Sequence, residues 1–364
     1  MCIILLALGS TPVCATSVVN SGNNILNLED RACRFQVPQE EQQVVERPDS
    51  FVDRVAAHVA IARLDHSIKN VFVLPGIVVA FSMTAGPFTL EMARTILLGF
   101  LATTLIACSN YVINEVLDAP FDRLHPVKKF RPAARGIVNI PFAYIQWIAM
   151  MVCGIAVSWQ ISPQFTAASA ALWIMGCVYN IRPFRTKDVA YLDVLTESIN
   201  NPLRMLLGWY MIAPSLVPPA SLLCCYWMIG CYFMALKRFS EFREIGNASA
   251  AGAYRNSFKQ YTERTLLESV TFYASFAMLL FGAFITRYRL ELILAFPFVA
   301  IMMATYFDLA FKSHSAVQNP ERLYREPVLM TELIVTSVVI TSLLFIHIPF
   351  LARLFTPTVP ILPR

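Results

Sequence analysis

The chain has 364 residues, a formal charge of +5, 57% hydrophobic residues and only 15% charged ones. A soluble globular domain keeps roughly a quarter of its residues charged, so this balance excludes an ordinary soluble enzyme, a nucleic-acid binder and a disordered protein. The charge that is present lies between long apolar runs.

Residues 1–50 read as a mostly disordered N-terminal extension, because Pro38 to Pro48 is rich in Gln and Glu and poor in apolar residues. No Lys or Arg precedes Arg31, so the basic start of a signal peptide is missing, and a mis-assigned start codon would also account for the segment. Residues 51–364 form the transmembrane domain. Apolar segments near 68–86, 93–117, 137–159, 164–181, 189–213, 219–236, 265–286, 288–307 and 329–351 are each long enough to cross a bilayer, which takes about 20 residues. A lipid-exposed backbone must satisfy its hydrogen bonds internally, so the expected fold is all-α: a multi-pass membrane protein with a bundle of about nine helices.

The loop after the second span carries Arg123, Lys128, Lys129, Arg131 and Arg135, and the loop after the fourth carries Arg182, Arg185 and Lys187. Lys237, Arg238, Arg243, Arg255, Lys259 and Arg264 follow the sixth span, and Lys312, Arg322 and Arg325 follow the eighth. The opposite loops hold Arg287 and Arg289, with Arg353 and Arg364 in the tail. Such an asymmetry over short loops puts the basic end in the cytoplasm and the protein in the cell (inner) membrane. The cysteines Cys108, Cys153, Cys177, Cys224, Cys225 and Cys231 fall inside apolar runs as small hydrophobes.

Two polar stripes interrupt the spans. The first runs Asn110, Asn114, Asp118, Asp122, four residues apart at the basic end of the second span, with Glu115 beside it. Stacked carboxylates raise one another's pKa, and a divalent cation removes that penalty; Mg²⁺ uses a few carboxylates and completes its shell with waters and phosphate oxygens. The second stripe, in the fifth span, is Asp193, Glu197, Asn200 and Arg204, all within about 40° of one direction on an ideal helix. Ionised groups inside a span are expensive and by default face a bundle interior or cavity and mark a site. An internal pairing of Arg204 with Asp193 or Glu197 is the plainer alternative. Cations beside both stripes suit a metal-bound diphosphate.

The run Asn114-Glu-x-x-Asp118-x-x-x-Asp122 resembles the N-D-x-x-D-x-x-x-D motif of the UbiA superfamily of intramembrane prenyltransferases, and Asp193-x-x-x-Glu197 resembles its second acidic motif. Three further segments look most like the decaprenyl-phosphate phosphoribosyltransferase branch. They are Ile68-Lys69-Asn70-Val71, Asp122-Arg-x-His125-Pro126-x-Lys128-Lys129-x-Arg131-Pro132, and Lys237-Arg238-x-x-Glu241. The resemblance implies a Mg²⁺-dependent transferase acting on a polyprenyl lipid substrate and a diphosphate-bearing donor. Asn114, Glu115, Asp118, Asp122, Asp193 and Glu197 would be metal ligands, with Asp118, Asp122, Asp193 and Glu197 catalytic. Substrate would be bound by Lys69, Asn70, Asn110, His125, Lys128, Lys129, Arg131, Arg135, Tyr179, Arg185, Lys187, Asn200, Arg204, Lys237 and Arg238.

The branch implies transfer of 5-phosphoribosyl from phosphoribosyl pyrophosphate to a polyprenyl phosphate. The alternatives are an aromatic prenyltransferase joining a polyprenyl diphosphate to a 4-hydroxybenzoate-like acceptor, and a secondary transporter with helices broken near Pro202. This sequence has Glu115 and Glu197 where the motifs carry Asp, and Pro120 inside the first motif is expected to kink or end the helix there.

Overall fold

The computed structural model describes residues 50–84, 86–123, 128–318 and 320–355. Apart from Ser50, the expected extension 1–50 lies outside the described residues, as do His125 and Arg364. Every regular element among the described residues is helical.

The chain enters through α1 (Phe51–Ile61), where the Ser50 hydroxyl accepts the Val52 N–H at 3.2 Å. This cap satisfies one of the donors that a helix start leaves open. Arg63 then takes a left-handed φ of 51°, a 3₁₀ stretch covers Leu64–Val73, and α2 (Leu74–Thr84) continues outward. The first membrane crossing is thus a jointed run, and α1 lies ahead of the segment expected at 68–86.

Among the described residues, seven helical runs are long and apolar enough to cross a membrane: Phe51–Thr84, α3 (Leu90–Asp122), α4 (Ile140–Trp159), α8 (Ala220–Ile245), α10 (Glu263–Tyr288), the run Leu290–Leu309 that ends in α11 (Phe296–Leu309), and α12 (Pro327–Phe345). The two remaining expected spans are α5 (Pro163–Asn180) and a broken pair, α6 (Leu192–Ser198) and α7 (Asn200–Ile212). Helix α7 packs against α2, α3, α5 and α8, and α5 packs against α3, α4 and α7. Both are interior to the bundle, which is why they tolerate polar residues that a lipid-facing helix would not. The short α9 (Ala248–Tyr254) links α8 to α10, and α13 (Pro349–Phe355) follows α12.

The fifth span is not one straight helix. Pro202 cannot donate to the Ser198 carbonyl, and the chain breaks between Ser198 and Asn200. Pro120 acts differently: α3 runs through it and ends two residues later at Asp122. So near the helix end, the missing hydrogen bond is not enough to stop the helix at the proline.

The centre of the bundle depends on two glycines. A Cβ on Gly208 would lie 2.0 Å from the Val73 carbonyl oxygen, and one on Gly76 would lie 2.0 Å from that of Met205. The backbones of α2 and α7 therefore touch, as small residues allow in membrane bundles. Gly208→Ala is expected to lower stability by about 1–3 kcal/mol through overpacking, read as a drop in the thermal midpoint of detergent-solubilised protein. An unchanged midpoint would mean that α2 and α7 do not meet this closely.

Candidate active site

The polar side chains of the two stripes gather where α3, α5, α6 and α8 meet the segments 182–191 and 255–261. The stripe on α3 turns by about 40° at each four-residue step, so its members face different neighbours. Asn110 faces α5: its amide donates to the Leu172 carbonyl at 3.0 Å, and a Cβ on Gly176 would lie within 2.4 Å of its amide. Asn114 and Asp118 face the α5–α6 linker, where Lys187 Nζ donates to Asn114 Oδ1 (3.2 Å), Asp118 Oδ1 (2.5 Å) and Asn180 Oδ1 (2.9 Å). Arg185 adds a bond to Asp118 at 3.1 Å, holds Asp188 at 2.9 Å, and lies over the Phe121 ring at 5.2 Å.

Asp122 has turned further, to Arg131 at 2.7 Å. Glu115 is 60° from Asp118 around the helix, enough to turn it to the loop after α3: it is buried and accepts the Ala133 N–H at 3.4 Å. The first acidic motif thus splits into Asn114 and Asp118 on the site side, and Glu115 and Asp122 on the side of the loop after α3.

The second stripe is held by α8 and the segment that follows it. Asp193 is 0% exposed. Its Oδ1 accepts from the Tyr261 hydroxyl at 2.8 Å, and its Oδ2 accepts from Arg238 Nε (3.1 Å) and Ser257 Oγ (3.1 Å), with Arg255 Nε at 3.3 Å. One helical turn on, Glu197 Oε2 accepts from Tyr179 (2.8 Å) and Arg238 Nη2 (2.9 Å), and Arg238 also pairs with Glu241 at 3.0 Å.

Arg255 joins the two halves. It donates to the Tyr179 hydroxyl at 3.1 Å and to the Lys187 carbonyl at 3.4 Å, while its Nε faces Asp193. Deeper in the bundle, Arg204 Nε donates to Asn70 Oδ1 at 3.4 Å, and Asn70 donates to Thr104 at 2.9 Å. The alternative internal pairing of Arg204 with Asp193 or Glu197 does not form; both acids are taken by Arg238.

Electrostatics follow from this crowding. Burial pushes the Lys187 ammonium down to about 8, against the opposing pull of Asp118. Lys128, in the loop after α3, is likewise lowered by burial while Glu241 pulls it up, and it lies over the Tyr254 ring at 5.3 Å. Lys237, Arg255 and Lys69 lie close enough to act on Glu197. Two expected cations stay outside: Lys129 is exposed over the Phe130 ring at 5.1 Å, and Arg135 is exposed in the turn that follows.

Among the described residues, no group of three or more His, Cys, Asp and Glu side chains is arranged to hold a metal ion. The two stripes differ in how they suit Mg²⁺. Three oxygens, from Asn114, Asp118 and Asn180, already converge on one compact cation, the Lys187 ammonium. That donor set fits a hard divalent ion whose shell is completed by waters and phosphate. Asp193 does not fit as arranged, because both of its oxygens are taken by protein donors. Glu197 is the acid of the second stripe that keeps an oxygen, Oε1, outside these bonds.

A profile described as the UbiA prenyltransferase family matches residues 72–333, well over half of the chain. The chain belongs to the UbiA prenyltransferase family. Membership makes it a membrane-embedded transferase.

The likeness to one branch also holds. The chain is 27% identical to a decaprenyl-phosphate phosphoribosyltransferase of Mycobacterium tuberculosis over 242 residues, covering 66% of this chain and 77% of that protein. It is 26% identical to protoheme IX farnesyltransferase 2 of Vibrio parahaemolyticus over 183 residues, covering 47% of this chain and 63% of that protein. Among solved structures, the UbiA homolog from Archaeoglobus fulgidus bound to DMAPP and Mg²⁺ shares the fold. Its TM-score is 0.59 at 19% identity, over 78% of this chain and 97% of that one.

Sequence reasoning missed Asn180, Arg255, Ser257 and Tyr261 as members of the site. Asn180 sits at the end of an apolar helix. The other three lie in a polar segment whose charges look like topology signals until the fold brings them over Asp193.

Proposed function

We propose that this chain is a Mg²⁺-dependent transferase that moves 5-phosphoribosyl from phosphoribosyl pyrophosphate to a polyprenyl phosphate, releasing diphosphate. The observation that carries the reading is the excess of cations over what one diphosphate needs. Arg185, Lys187, Arg238 and Arg255 bond directly to the acids, with Lys237, Lys69 and Lys128 close by. A donor with both a diphosphate and a 5-phosphate uses such a set, and the mycobacterial relatives carry that activity in their names.

Asn114, Asp118 and Glu197 would hold Mg²⁺, which when bound neutralises charge developing on the departing diphosphate. Arg185 and Lys187, released from Asp118, turn to phosphate oxygens and orient the donor. Arg255 and Tyr179 close the site between the stripes and exclude water that would hydrolyse an activated ribose. The bond from the anomeric carbon to the diphosphate oxygen breaks with its electrons on diphosphate. An oxygen of the polyprenyl phosphate forms the new bond, and no proton needs to move. The basic loops argue for a site facing the cytoplasm of a bacterial cell.

A second reading is prenyl transfer from a polyprenyl diphosphate to an aromatic acceptor, favoured by the farnesyltransferase relative. Membranes containing the protein, given labelled phosphoribosyl pyrophosphate and polyprenyl phosphate, are expected to form labelled lipid. Product only from prenyl diphosphate with an aromatic acid would reverse the assignment.

A further inference from the structure

Arg204, the last member of the second stripe, is a buried cation that the stripe's acids do not pair with. It is 7% exposed and stands eleven residues beyond Asp193, past the break between α6 and α7. The long side chain leans back toward the helix N-terminus and thus toward the floor of the site. The neighbouring acids are all engaged elsewhere: Asp118 with Arg185 and Lys187, and Asp193 and Glu197 with Arg238. Among the described residues Arg204 makes no ion pair. Its fork reaches Asn70 Oδ1 and the Asn200 carbonyl, both at 3.4 Å, the long limit of a hydrogen bond.

Beside it, Asn200 donates to the Glu197 carbonyl at 3.0 Å, while its own Oδ1 is buried with no partner. Tyr111 and Tyr226 lie close enough to feel the Arg204 charge. A guanidinium at bilayer depth without a counter-ion is expensive, and so is a buried orphan carbonyl. A ligand with a doubly charged, fork-shaped end and a hydroxyl relieves both at once.

We infer that Arg204 is the receptor for a phosphate monoester, seated below the metal-facing acids, with Asn200 Oδ1 accepting a hydroxyl of the bound substrates. This rests on the phosphoribosyl reading, in which the donor carries a 5-phosphate and the lipid acceptor a terminal phosphate. The same chemistry thus has two sources. A prenyl diphosphate with a hydroxybenzoate supplies no monoester.

The test uses the full-length protein in detergent. The rise in its thermal midpoint is titrated with ribose 5-phosphate and, separately, with geranyl phosphate, for the wild type, Arg204→Gln and Arg204→Lys. Steady-state KM and kcat are measured for the donor and the acceptor. One of the two monoesters is expected to stabilise the wild type, with half-saturation shifted at least about tenfold in both variants. The Lys variant keeps the charge but loses the fork. The matching substrate's KM is expected to rise more than kcat falls.

A shift confined to ribose 5-phosphate assigns the subsite to the donor, and one confined to geranyl phosphate assigns it to the lipid. Equal half-saturation in wild type and Arg204→Lys, protection by neither probe, or protection by 4-hydroxybenzoate alone would overturn the inference. If Arg204→Gln does not fold, the Lys variant alone decides. Arg204-dependent monoester binding without turnover of phosphoribosyl pyrophosphate would sink the proposed reaction and leave the subsite standing. Turnover unaffected by both variants would do the reverse.

Discussion

Asp118→Ala is expected to lower kcat/KM by roughly 10²–10³-fold or more, the scale of losing a group aimed at transition-state charge. The thermal midpoint should fall too, though by less than in the Asp193 variant below. Asp118 is the carboxylate on which Lys187 and Arg185 converge, and its side chain is 22% exposed. Removing it leaves Arg185 with Asp188 but leaves the buried Lys187 ammonium with only the neutral Asn114 and Asn180 as partners, so stability falls by about 3 kcal/mol, the low end for breaking a buried pair. Turnover of labelled donor and a melting curve on the same preparation check both halves. Retained activity would exclude Asp118 from the chemistry.

Asp193→Ala is expected to lose more stability. Asp193 is sealed between Arg238, Arg255, Ser257 and Tyr261, and Arg238 is itself 3% exposed. Arg238 would keep Glu197 and Glu241, but Arg255 would lose the only acid it pairs with among the described residues, and breaking such a buried pair costs about 3–5 kcal/mol. The segment 255–261 would also lose its anchor, including the Tyr261 hydroxyl that takes the Tyr191 N–H at 2.5 Å. Both stability and turnover should fall. If Asp193→Ala melts like the wild type and loses only turnover, the carboxylate faces substrate or metal, as the second motif's resemblance implies, and the protein cage described above is not its working state.

These two variants separate what was legible in the sequence from what was not. The spans, the helical class and the two acidic stripes could be read from apolar run lengths and four-residue spacing, because both depend on local geometry. The division of labour inside each motif could not. Asn114-Glu-x-x-Asp118 reads as one cluster, yet the 60° between Glu115 and Asp118 sends one to the Ala133 backbone and the other to Lys187. Likewise Asp193 and Glu197 lie within 40° of each other on an ideal helix, yet one is fully enclosed and the other partly open.

The difference comes from Arg255, Ser257 and Tyr261, more than sixty residues away in sequence. No spacing rule points to a contact of that range. The break at Ser198–Asn200 follows from Pro202, but the same residue type at Pro120 leaves its helix running to Asp122. Position within the helix, rather than the presence of proline, decides the outcome.

The central claim is that Asn114 and Asp118 hold a divalent ion together with the donor's diphosphate. Binding of Mn²⁺, used as a paramagnetic substitute for Mg²⁺, tests this most directly when followed by electron paramagnetic resonance with and without phosphoribosyl pyrophosphate. The account predicts bound Mn²⁺ that requires the donor and disappears in Asp118→Asn. Donor-dependent Mn²⁺ binding that survives Asp118→Asn undiminished would contradict it.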